Sequence, residues 1–359
     1  MGTLYGREMT REQILQRVGD LSQVAGVSRA VLADGREAGV EAVRFRTGTG
    51  FDFTVLAGRG MDVSNAEFCG KALGWKSQTG DTHAAYFEPD GLGWLRGFYG
   101  GLVATCGLTY AGAPGEDEGQ ELGLHGRVSY TPAESLYVDG EWQGDDYVMW
   151  AQGKLREACV FGPHLVQTRR ITAKLGESRF RLQDRVENCG WDTQPHMILY
   201  HINGGWPALD DGTELLAPAN SWQARDADGE VGKNQAKQMQ APTPGFAERV
   251  YFYDLKTDAD GCTQTALVNR QCDGGFGFYV RWKKDRLPCY TQWKMNGAGT
   301  YVCGMEPGNC LPLGRAAERE AGRLQFLEPG EVREYELEIG VLDGSEAIAE
   351  FEAEVGAMQ

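Results

Sequence analysis

The chain has 359 residues and carries 35 Lys and Arg against 51 Asp and Glu, a net charge of −16. Hydrophobic residues make up 42% and charged residues 24%, the mix of a folded globular chain and not of a disordered one. An acidic chain with no basic tract lacks the electrostatic footprint of a nucleic-acid binder, which points to small or neutral partners.

No stretch approaches the ~20 apolar residues a membrane span needs. The first twenty residues lack the apolar run of a secretory signal, and Gly6 stands where a myristoylation motif requires Ser or Thr. Nine cysteines with no C-x-x-C pair read as small core residues, not as a disulfide framework or a zinc ribbon. A reducing cytoplasm is the expected setting.

In chain order, Thr10 and Gln13 form a capping box. Ile14, Leu15, Val18, Leu21 and Val24 follow at helical spacing until Gly26. This predicts a helical extension over residues 1–27. From residue 28 to 359 the pattern is strand and turn. Short β-branched and aromatic runs are broken by Asp34-Gly35, Gly48 and Gly50, and similar runs fill 135–155, 165–190, 274–282 and 331–342. Fifty glycines, about twice the ordinary frequency, fit a chain with many tight turns. The polar, turn-rich segment from Asn220 to Ala241 reads as a long surface loop. With no βαβ alternation, repeat or linker, the expected fold is all-β and mainly antiparallel, one large two-sheet sandwich.

Several chemistries lose their main support. There is no G-x-S-x-G elbow, no phosphate-cradling G-x-x-x-x-G-K-[ST] loop and no H-E-x-x-H helix. Gly91-Leu92-Gly93-Trp94-Leu95-Arg96 begins like a dinucleotide loop but ends in Arg and lacks the strand–helix context. No nucleotide cofactor is implied.

Five histidines remain. His125 lies in Leu122-Gly123-Leu124-His125-Gly126-Arg127, where flanking glycine lets the backbone approach a ligand closely. His196 and His201 share a strand-like run that ends in Gly204-Gly205. Strand alternation puts His201 on one face with Met197 and Leu199, and His196 on the other, so both should not serve one small site. His83 and His164 stand in turn-like contexts with no functional argument. Glu306 is a lone carboxylate in an apolar strand, expensive to bury unless paired or used.

These segments resemble the galactose mutarotase (aldose 1-epimerase) superfamily, and most closely its bacterial DUF4432 branch. The resemblance runs from about Arg59 to Leu342. It is carried by GRGMD at 58–62, GWLRGFYGGLVATCGL at 93–108, LGLHGR at 122–127, LYHINGG at 199–205, GMEPGN at 304–309 and LEPGEVREYELEIGVL at 327–342. It implies a large antiparallel β-sandwich and a pocket in which a carboxylate and an imidazole exchange protons with a sugar, without metal or cofactor. By that resemblance Glu306 is the base, His201 the acid, and His125 a hydrogen-bond partner of the ring oxygen or an adjacent hydroxyl. Arg59 matches a pocket Arg that orients hydroxyls. Asn203 belongs to the shortened second motif, and Trp94 and Trp293 are candidate platforms for a sugar face.

The chain departs from the family in having Arg127 where a second glycine follows the His-Gly pair. Arg59, Arg96, Arg127 and Lys294 together would form a cationic set suited to an anionic sugar. Each also has a plainer reading: a hairpin tie for Arg59, surface salt bridges for Arg96, Arg127 and Lys294, core packing for the tryptophans. The expected activity is anomer exchange on a free sugar or sugar acid. A metal-dependent sugar isomerase or lyase, and a non-catalytic carbohydrate-binding protein, are the alternatives. The sequence leaves the oligomeric state open.

Overall fold

The glycine turns do what their spacing predicts. Gly26–Val31, Glu41–Arg46, Phe51–Leu56 and Asp62–Phe68 pair in succession as an antiparallel meander. In the computed structural model, which describes residues 2–359, this meander is one side of a twelve-stranded sheet. The sheet continues through Val103–Leu108, Gln194–Gly204, Thr300–Gly308, Cys289–Gly297 and Arg249–Leu255 to Ala219–Ala224. An eight-stranded sheet packs against it. Its long strands are Glu134–Gln143, Asp146–Ala158, His164–Lys174, Arg179–Asn188 and Val332–Asp343.

Between the sheets, Phe45, Phe53 and Val55 from the first meet Phe180, Leu182 and Leu337 from the second. Phe53 stacks on Phe180 with ring centroids 4.7 Å apart. Burying a side chain of this size stabilises by about 1.5–3 kcal/mol. A charged tie crosses the same interior. Arg169, fully buried, donates to Asp62 at 2.7 Å and Asp184 at 2.6 Å, and the Tyr200 hydroxyl donates to Asp184 at 2.7 Å. Because Tyr200 precedes His201, this tie fixes the strand that carries the histidine.

The middle of the twelve-stranded sheet is covered on its outer face too. Trp94, Phe98 and Tyr110 from the connecting loops pack on Met197 and Leu199 as a second apolar cluster. Burial on both faces explains why Gln194–Gly204 shows no hydrophobic alternation.

Two sequence expectations are corrected. The N-terminal helix spans only Arg11–Leu15; its capping box forms, but Gly19 and Asp20 interrupt it and Asp20 caps a separate turn at Leu21–Gln23. The segment from Asn220 to Ala241 is no long loop. It contributes to the strand Ala219–Ala224 and contains the helix Ala227–Val231, with the Tyr251 hydroxyl donating to Gly229 in the helix and Lys294 and Gln292 donating to the carbonyls of Gln235 and Ala236 after it.

Among the described residues no helix is long and apolar enough to cross a membrane. All nine cysteines are free.

Candidate active site

Three neighbouring strands bring the candidate residues together. Cross-strand partners Leu199–Gly308 and Ile202–Met305 set a register that places His201 opposite Glu306. On the other side of Glu306, Thr291 is its direct partner. One row across the sheet therefore reads His201, Glu306, Thr291. The next row reads Asn203, Gly304, Trp293. Alternation sends these side chains to the outer face, while Tyr200, Ile202, Tyr301 and Met305 fill the interior.

Gly304 makes room for this arrangement. A Cβ there would run into Glu306 Oε1 and lie 3.1 Å from the Trp293 Cβ.

His125 arrives from a loop. Its backbone N–H donates to Gly112 at 2.9 Å, and its carbonyl accepts from the Gly107 N–H at 3.1 Å. Its φ of 57° is left-handed, a conformation that costs a non-glycine residue of order 1–3 kcal/mol and persists only where the surroundings enforce it. At Gly126 a Cβ would collide with the Gly107 and Tyr110 carbonyls, so glycine is required there.

The three side chains line a cavity of about 530 Å³ walled by Trp75, Trp94, Phe98 and Trp293. His201 Nε2 lies 3.2 Å from Glu306 Oε1. The His125 and His201 rings stand perpendicular with centroids 5.8 Å apart. Asn203 Oδ1 is 2.5 Å from His201 Nδ1, while the Asn203 amide N–H donates to the His201 carbonyl at 3.0 Å. With Nδ1 donating to Asn203, Nε2 presents its lone pair toward Glu306 when the ring is neutral.

Burial dominates the protonation states. It pulls His201 down to about 4, against the opposing hydrogen bond from Asn203. It pulls His125 down to about 3, helped by His201. It pushes Glu306 well above the carboxylate range, with the charge of Glu248 adding to the rise. Both shifts favour the uncharged forms, a neutral His201 beside a protonated Glu306, which leaves one proton on the pair. Three buried polar atoms at the cavity lack a hydrogen-bond partner: His125 Nδ1, Thr291 Oγ1 and Glu306 Oε1, the last near His201 but out of line with it.

The cationic set does not assemble. Arg59 is buried, but its guanidinium donates to the carbonyls of Ser129, Thr82 and Gly97 and stacks on Tyr130, braced away from the cavity. Arg96 pairs with Glu88 at the surface. Arg127 is exposed and lies over the Phe87 ring. Lys294 follows Trp293, so alternation turns it to the other face, where its ammonium donates to the carbonyls of Gln235 and Gln238 at 2.6 Å. Asn203 is buried and acts on His201 instead of reaching the cavity. Trp94 and Trp293 do line it, with indole N–H groups donating to Ser129 and Glu248. His196 is buried on the interior side, hydrogen-bonded to the Leu108 carbonyl and the Tyr335 hydroxyl.

Sequence reasoning missed Thr291, Arg225 and Glu248, all on the cavity lining. Arg225 and Glu248 pair at 2.9 Å. Arg225 falls inside the segment read as surface loop, and Glu248 just beyond it.

Residues 37–341 match the model of the DUF4432 family, described as a domain of unknown function. The chain belongs to the DUF4432 family. Among solved structures, this DUF4432 chain is similar to a protein of Klebsiella pneumoniae assigned provisionally as an aldose 1-epimerase. The two are 27% identical, with a TM-score of 0.89 over 98% of this chain and 91% of that one. A galactose mutarotase-like protein of Clostridium acetobutylicum (10% identity, TM-score 0.60, 89% of this chain and 99% of that one) shares the fold. So does galactose 1-epimerase from Lactobacillus acidophilus (12%, 0.56, 89% and 99%). No curated protein matches. The architecture of the DUF4432 chain is thus galactose mutarotase-like. Among its described residues no three His, Cys, Asp or Glu side chains gather as a metal site.

Proposed function

We propose that this DUF4432 protein interconverts the anomers of a free, uncharged sugar, as an aldose 1-epimerase-like isomerase. The observation that carries the reading is the buried pair of His201 Nε2 and Glu306 Oε1, 3.2 Å apart and facing an aromatic-walled cavity. The anomeric hydroxyl and the ring oxygen share one carbon, so an acid and a base this closely spaced can each address one of them.

In this reading the pair starts with a single proton, on Glu306, the form its burial favours. A sugar that docks with its anomeric hydroxyl toward the carboxylate stabilises the anion, and the proton shifts to His201. Glu306 then takes the hydroxyl proton as the imidazolium of His201 gives its own to the ring oxygen. The bond between the anomeric carbon and the ring oxygen breaks, leaving an open-chain aldehyde and the pair again with one proton. Rotation about the adjacent carbon–carbon bond and closure on the other face reverse the same transfers. Asn203 holds the imidazole in register, His125 Nδ1 is free to engage a sugar oxygen, and Trp94 and Trp293 offer ring faces to the apolar side of a sugar.

An uncharged substrate follows from the charges present. Among the described lining residues Arg225 is the one Lys or Arg, and Glu248 and Asp226 both pair with it. A uronate or sugar phosphate would meet no free cation there. The nine free cysteines accord with a reducing cytoplasm.

The test is exchange NMR of anomeric protons on aldoses, ketoses and uronates with wild type and Glu306→Gln. Accelerated exchange on uncharged sugars that Glu306→Gln abolishes is the expected result. Binding that survives Glu306→Gln with no exchange on any sugar would overturn it in favour of a carbohydrate-binding protein. Conversion to a different sugar would overturn it in favour of an isomerase or lyase.

A further inference from the structure

Thr291 is absent from every motif that carries the resemblance, yet it completes the row that begins with His201 and Glu306. It is 1% exposed and lines the cavity, and its Oγ1 has no hydrogen-bond partner. A buried hydroxyl without a partner costs about 1–3 kcal/mol, a burden that a ligand seated in the cavity would lift by supplying the missing bond. The two polar neighbours that point to the interior from the same stretch of strand are satisfied. Gln292 donates to the Ala236 carbonyl and accepts from Tyr253, and Lys294 donates to two carbonyls.

The two open atoms of this row are complementary. Once its proton has passed to His201, Glu306 Oε1 accepts, and the Thr291 hydroxyl has a proton to give. Glu306 is flanked by His201 on one side and Thr291 on the other, directly across the strand pair at a spacing of about 4.5–5.5 Å between Cβ atoms. A single sugar hydroxyl seated over Glu306 can donate to the carboxylate and accept from Thr291 at once.

We infer that Thr291 is a further catalytic residue, an oxyanion donor for the anomeric oxygen. Resting on the proposed acid–base reading, its hydroxyl donates to that oxygen while Glu306 removes the proton. Negative charge grows on the oxygen as the proton leaves and is quenched as the ring bond breaks and the carbonyl forms. Thr291 keeps its own proton throughout, so the proton count is unchanged. Its hydrogen bond is strongest when the charge is greatest, which makes the contribution one to turnover more than to binding.

The experiment is exchange NMR with D-galactose as probe on wild type, Thr291→Val, Thr291→Ser and Glu306→Gln. Valine keeps the shape and removes the donor; serine keeps the donor. The expected result is a loss of about 100-fold in kcat for Thr291→Val, the scale of one oxyanion donor. KM should stay within threefold, the pH profile should not move, and Thr291→Ser should restore most of the rate. The melting temperature of Thr291→Val should equal or exceed that of wild type, because a buried unpaired hydroxyl is gone. An unchanged kcat for Thr291→Val overturns the inference, as does a rise in KM alone or a loss that Thr291→Ser fails to rescue. If Glu306→Gln itself exchanges at the wild-type rate, the acid–base reading fails instead.

Discussion

Gly304 is where geometry and chemistry can be separated most cleanly. It lies two residues before Glu306, on the same face of the strand, and opposite Trp293 across the strands. Its φ lies outside the left-handed region, so alanine can adopt the same backbone. The added Cβ would sit 3.3 Å from Glu306 Cδ and 3.1 Å from Trp293 Cβ, and well inside contact distance of Glu306 Oε1. The carbons must give by a few tenths of an ångström, but the oxygen must retreat by about 1 Å. The open cavity leaves it room to do so. Misplacing a reacting group by that distance costs about 100-fold in rate. Stability should change little, within about 1 kcal/mol, because the strain is relieved by a side-chain tip and alanine loses less backbone freedom on folding than glycine. Galactose exchange NMR read beside a urea melt checks both halves. A kcat within threefold of wild type at unchanged stability would refute the claim that the Glu306 carboxylate must sit against His201. A large fall in stability would show that the strands, and not the carboxylate, absorb the clash.

Three further outcomes concern protonation and the misplaced arginine. Glu306 binds its proton more tightly when folded than when unfolded, so wild-type stability falls as pH rises above the unfolded carboxylate value of 4.5. Glu306→Gln removes that liability, and urea melts should find the variant more stable than wild type by a margin that widens from pH 5 toward 8. In the opposite direction, His196 and His201 each drop from 6.5 to about 4 on folding, so the unfolded chain binds more protons between those values. Stability should be intact above pH 6.5 and lost as pH falls toward 4, by about 3 kcal/mol per buried histidine. Arg59→Met should cost about 3 kcal/mol or more, because three buried carbonyls lose their donor, while KM for galactose stays within twofold. A raised KM at unchanged stability would instead return Arg59 to the cavity.

What the sequence made legible and what it hid follow from one property of strands. Alternation is local, so it correctly set His201 with Met197 and Leu199 on one face and His196 on the other. It would equally have turned Lys294 away from Trp293, had the assignment of Trp293 to the cavity been made first. Register between strands is not local. Thr291 meets Glu306 because two strands joined at Asn296–Thr300 fold back with a spacing that no single stretch of sequence displays. Motif resemblance drew Glu306, His201 and His125 together, and the structure lines one cavity with them, because each has a glycine within three residues whose role in close packing leaves a mark on the chain. Thr291 sits beside Tyr290 and Gln292, residues chosen by the interior on the opposite face, and leaves no such mark. The arginines misled for a related reason. A guanidinium that braces loops by donating to carbonyls and one that grips a ligand occur in the same glycine-rich surroundings, and only the positions of Ser129, Thr82 and Gly97 tell them apart. The cationic set, inferred from composition near the motifs, therefore dissolves once those carbonyls are in place, and with it the ground for expecting an anionic sugar. A site whose lining cations are already paired selects against anions, whatever the number of arginines nearby in the sequence.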